Sequence, residues 1–178
     1  MKGEGGREKG ETPAPLLEQV FAHIAATRMA GLPILNPAVQ VEVVGMQPWQ
    51  GLWLGVLVTP WTMSLVLLPG ESPLRRLALD EKAGWAFPSG SYEFMGLEET
   101  GLGIGQLCSL ISPVHEFSTH QDAVAVAGEV MKTLFERGQQ EEPLAARIES
   151  ARLKGESLIG QPLSRRDFLR AAFPGGGR

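Results

Sequence analysis

The sequence predicts an α+β fold. The expected architecture is an antiparallel sheet of about five strands, with an N-terminal and a C-terminal helix packed on one face and disordered ends. Three observations predict it. Apolar residues recur at helical spacing near the start of the chain. The middle is a series of short Val-, Leu- and Trp-rich runs broken by turn signals. A second helical pattern with its own capping residues follows. Helix, strands and helix in that order build a layered α+β domain.

The elements follow in chain order. Residues 1–12 are Gly-, Glu- and Lys-rich and are expected to be disordered. Thr12-Pro13 reads as a helix start, and Leu17, Val20, Phe21, Ile24 and Arg28 share one stripe, which predicts a helix over Pro15–Met29 ended by Gly31 and Pro33. Val39, Val41 and Val43 alternate with polar residues as in a half-buried strand. Trp53–Thr59 and Met63–Leu68 are two further strands, and the short Thr59-Pro60-Trp61-Thr62 connection makes them an antiparallel hairpin. Residues 71–90 read as a loop excursion, Ser91–Met95 as a fourth strand and Gln106–Ile111 as a fifth. Ser118 with Gln121 and Thr119 with Asp122 offer two overlapping capping boxes for a helix whose stripe is Ala123, Ala127, Val130, Met131 and Leu134. The folded domain is expected over 13–138, with 139–178 a mobile basic tail.

Charge is divided between these regions. Residues 40–130 hold ten acids and three bases (Arg75, Arg76 and Lys82), whereas 143–178 hold seven bases and three acids. An acidic domain argues against nucleic-acid binding and makes the tail a candidate ligand for acidic surfaces. Cys108 is the one cysteine, so no internal disulfide forms, and the polar N-terminus lacks the apolar core of a secretory signal. The apolar runs are too short to span a bilayer, so the expected location is the cytoplasm.

Chemistry-bearing motifs are sparse. Gly101-Leu102-Gly103-Ile104-Gly105 opens a strand and not a helix, so it reads as a turn and not as a phosphate loop. His23, His115 and His120 do not have the spacing of a zinc site, and Cys108 lies in an apolar strand. Ser109, His115 and Glu116 carry no supporting local signature for a nucleophile set. No catalytic residue, metal or cofactor is assigned. The tryptophans Trp49, Trp53, Trp61 and Trp85 are more informative, since Trp61 occupies a tight turn, where the indole either stands exposed as an interface anchor or folds back over the sheet edge.

Leu32-Pro33-Ile34-Leu35-Asn36-Pro37, Gly55–Trp61, Pro88-Ser89-Gly90-Ser91-Tyr92-Glu93-Phe94 and Cys108-Ser109-Leu110-Ile111-Ser112-Pro113 with Glu116-Phe117 occur in an ordered series from about Leu16 to Phe135. In that order and spacing they resemble the HybE/HupJ family of [NiFe]-hydrogenase assembly chaperones. Ser64 and His115 depart from the pattern, standing where Asn and an apolar or aromatic residue are usual. The resemblance implies a non-catalytic protein without cofactor. It would bind the precursor large subunit, the small subunit with its twin-arginine signal, or both, and hold back export until the metal centre is complete. The rival readings are a redox or enzymatic maturation factor using Cys108 and a permanent hydrogenase accessory subunit. Contact residues expected for the partner are Trp61, Met63, Ser64, Glu93, Glu98 and Glu99.

Independently of that match, Ser164-Arg165-Arg166-Asp167-Phe168-Leu169-Arg170 reproduces the twin-arginine export pattern at the wrong end of the chain, with no long apolar stretch after it. Ser164, Arg165, Arg166, Phe168 and Leu169 are therefore expected to mimic an export signal.

Overall fold

The computed structural model describes residues 11–137; the expected disordered N-terminus, bar its last two residues, and all of the basic tail lie outside them. Two helices, α1 (Ala14–Ala26) and α2 (His120–Leu134), accompany six strands. The strands are β1 (Glu42–Trp49), β2 (Leu52–Val58), β3 (Met63–Pro69), β4 (Lys82–Phe87), β5 (Gly90–Glu99) and β6 (Gly103–Ile111). All pairings are antiparallel, in the spatial order β1-β2-β3-β6-β5-β4.

The α+β class, the antiparallel sheet and both helices are as expected; the layering differs. The helices lie on opposite faces of the sheet. Leu17, Phe21 and Ile24 of α1 pack with Leu57, Val66, Leu68 and Leu97. Ala123, Val126, Ala127, Val130 and Leu134 of α2 pack with Leu54, Val56, Leu65, Leu67, Tyr92 and Phe94. Side chains alternate faces along a strand, so Leu57 and Val56 necessarily point to different layers. The physical reason is visible in β2 and β3. Both are apolar at successive positions, and a sheet with one face in water would alternate instead.

A sixth strand replaces part of the expected loop excursion. Lys82–Phe87 has too many small residues to show a strand pattern alone. It is made a strand by its partner, in unbroken register from Lys82↔Met95 to Phe87↔Gly90. Residues 73–78 instead bring Leu74 and Leu77 into buried positions, and the Leu77 carbonyl lies so close to Gly96 that a Cβ there would meet it at 2.5 Å. The first strand also starts later than expected, at Glu42. It is bulged where Gly45 takes a left-handed φ of +69°, with Met131 of α2 filling the space of the missing side chain. Gln50 and Gly51, both at positive φ, close the two-residue β1–β2 turn.

The sheet is curled around α2. Trp49 and Phe87 sit on the two edge strands, yet their rings stack at 4.3 Å, with Trp85, Tyr92 and Phe135 grouped about them. The β1 margin is further closed by side chains. The Val43 N–H donates to Glu18 Oε1 of α1, and the Gln40 N–H donates to His120 Nδ1 of α2. That bond leaves the ring hydrogen of His120 on Nε2, which donates to Glu42 Oε2 at 2.8 Å.

Candidate functional site: a knot of loops at the end of the sheet

Three segments separated by up to about eighty residues are tied together by one buried residue, through its side chain and its backbone N–H. Asn36 Nδ2 donates to the carbonyls of Val114 and Phe117, and Asn36 Oδ1 accepts from the Ala38 N–H. The Asn36 backbone N–H donates to the Pro60 carbonyl at the tip of the β2–β3 hairpin. An asparagine is suited to this place because its amide supplies two donors and an acceptor from one short side chain. The hairpin tip has its own organiser. Buried Thr59 Oγ1 accepts from the N–H groups of Trp61 and Thr62, and Thr62 Oγ1 donates to the Ile111 carbonyl.

The knot holds an apolar surface. Leu32 and Ile34, four and two residues before Asn36, are 42% and 43% exposed. Trp61, at the hairpin tip bonded to Asn36, is half-buried, with its ring stacked on Phe21 of α1, so it is part of the α1 layer. The other two residues expected there turn inward. Met63 is 0% exposed in the α2 core and Ser64 is buried too, because both belong to β3 at the centre of the sheet and not to the turn. Neither is a surface contact.

The three acids do not form a cluster. Glu98 faces the opposite side of β5 from Glu93 and Glu99, and Glu93 is six residues, roughly 20 Å, from Glu99. Each already faces a base: Glu93 with Lys82 at 3.6 Å, Glu98 with Arg76, and Glu99 with Arg28 at 2.6 Å. Ser164, Arg165, Arg166, Phe168 and Leu169 lie outside the described residues.

Asn36, Leu32 and Ile34 stand in the first signature segment but were not named as contact residues by sequence reasoning. The signal was present in Leu32-Pro33-Ile34-Leu35, an apolar run that belongs to no periodic element and therefore to no core layer. The fourth signature segment is also structural. Ser89 Oγ lies 2.6 Å from the Tyr92 hydroxyl, and the Ser89 N–H donates to the Leu134 carbonyl, docking the β4–β5 turn against the end of α2.

Chemically the described region offers recognition and not an activated nucleophile. Burial pushes the Cys108 thiol up to about 12, helped by the charge of Glu93, so the reactive thiolate is suppressed. Among the described residues no group of three His, Cys, Asp or Glu side chains could hold a metal ion, and no helix is long and apolar enough to cross a membrane.

Comparison with known proteins agrees with the signature. Residues 12–171 match the profile of the family described as [NiFe]-hydrogenase assembly chaperone HybE. The hydrogenase expression/formation protein HoxT of Azotobacter vinelandii is 42% identical over 66% of this chain and 78% of its own length. The corresponding HupJ of Bradyrhizobium diazoefficiens is 32% identical over 89% and 87%. The solution structure of HybE from Escherichia coli shares the fold, with a TM-score of 0.57 and 24% identity over 86% of this chain and 93% of that one. The chain thus belongs to the HybE family of [NiFe]-hydrogenase assembly chaperones.

Proposed function

We propose that this protein binds precursor [NiFe]-hydrogenase subunits in the cytoplasm: the large-subunit precursor, the small subunit with its twin-arginine signal, or both. It holds back export until the metal centre is complete, and it does so by binding alone, without catalysis. The observation that carries this reading is the knot at Asn36. It joins three of the four signature segments, two of which carry the part-exposed apolar side chains Leu32, Ile34 and Trp61. Ordered aromatic and aliphatic side chains at a surface are what protein recognition uses, since little conformational freedom is lost on docking.

The test is a tagged pull-down from cells making hydrogenase. The protein should capture precursor subunits and leave mature enzyme behind, whereas co-purification with active hydrogenase would mean a permanent subunit. Replacing Leu32 and Ile34 with Ser removes exposed apolar groups only, so the fold should survive within about 0.5 kcal/mol per site. Precursor capture should fall at least about tenfold, the effect of losing roughly 1.4 kcal/mol of binding. Undiminished capture would move the binding surface elsewhere.

A further inference from the structure

A cleft of ≈ 600 Å³ lies between α1 and the turn joining β5 to β6. Its α1 wall carries Leu16, Val20 and Ile24, and its rim carries Arg28, Glu99 and Thr100. It is separate from the knot at Asn36. A strong polar contact crosses it, the Arg28–Glu99 bond, and the two partners differ in character. The Arg28 side chain is 60% exposed, while that of Glu99 is 22% exposed. The carboxylate is therefore part of the cleft, whereas the guanidinium reaches it from solvent and can be exchanged for another guanidinium at little cost, since exposed pairs contribute about 0–1 kcal/mol.

We propose that this cleft is an arginine-recognition site and that its resident occupant is the chain's own segment Ser164–Leu169. Arg165 or Arg166 replaces Arg28 on Glu99, with the planar fork of guanidinium on carboxylate, and Phe168-Leu169 cover Leu16, Val20 and Ile24. Charge complementarity favours this occupant. Residues 11–137 contain thirteen acids and six bases, a net of −7, whereas 138–178 contain five acids and seven bases, a net of +2. Twenty-six residues, 138–163, separate the described residues from this segment, and a coil of that length spans roughly 30 Å. Tethering also supplies a high local concentration, so a contact of modest intrinsic affinity is populated. The family match runs to residue 171 and so extends over this segment. Of the three acids named as contact residues, Glu99 alone lines this cleft with an apolar wall beside it; Glu93 and Glu98 do not. A bound tail would keep the cleft from other arginine-bearing segments until one of them displaced it.

The experiment needs no hydrogenase, so it stands or falls apart from the chaperone reading. A photoreactive phenylalanine analogue is placed at position 168 of the full-length chain, and cross-linked peptides from dilute monomer are mapped by mass spectrometry. Cross-links within one molecule to residues 16–28 or 99–101 are expected. Glu99→Gln and the pair Arg165→Ala with Arg166→Ala should each reduce their yield. Arg28→Ala should raise it about two- to fivefold, because it removes the competitor for Glu99. The near-ultraviolet circular dichroism of the tryptophans checks that each variant keeps its fold. Cross-links elsewhere, cross-links only between molecules, or a yield indifferent to both Glu99→Gln and Arg28→Ala would overturn the proposal.

Discussion

Asn36 shows how much one side chain can hold. Removing its amide leaves two buried carbonyls without their donor and the Ala38 N–H without its acceptor. An orphaned buried group is worth about 1–3 kcal/mol. Asn36→Ala should therefore lower the urea midpoint by the equivalent of about 2–4 kcal/mol, and Asn36→Asp should be at least as damaging, because a carboxylate cannot donate to Val114 and Phe117. Cys108 gives a pH-dependent counterpart. Its folded pKa is raised to about 12 from an ordinary value near 9.0. The native state then keeps a proton that the unfolded chain releases, so the stability linked to this group is full below pH 9 and is lost as pH climbs towards 12. The stability difference between wild type and Cys108→Ala should be constant below pH 9 and shift against the wild type above it. Thiol reagents at neutral pH should label the native protein only after unfolding.

At the scale of elements, α2 was the most legible, because its boundaries are written in local chemistry. Thr119 Oγ1 accepts from the Asp122 N–H as the capping pattern requires, and Thr119 rather than Ser118 is the N-cap. Thr119→Ala should cost about 1 kcal/mol, measured by chemical denaturation. The hairpin of β2 and β3 was legible for a similar reason, since its connection is too short for any other pairing. β4 was not, because Ala83, Gly84 and Ala86 carry no periodic signal and their strand conformation comes from β5. The same holds for the candidate site. Trp61 could be noticed from its place in a turn, but the inward direction of Met63 and Ser64 follows from β3 being an interior strand. Asn36 depends on partners about eighty residues away, and no local pattern announces such bonds.

For the whole molecule, the consecutive apolar residues of β2 and β3 already implied two covered faces, and helices on opposite sides follow from that. The aromatic meeting of the two edge strands adds something the hydrogen-bond ladder cannot. Trp49 and Trp85 lie 5.8 Å apart at 65°, one from each margin of the sheet, with Phe87 stacked on Trp49. Indoles that close and that oriented couple their electronic transitions, so the pair is a built-in optical gauge of how tightly the sheet is wound. Its near-ultraviolet signal depends on fixed packing and fades as packing loosens, even while strands and helices persist. The molecule thus carries an unlabelled reporter on the α2 face, able to register from a distance any strain that a bound precursor transmits to its curvature.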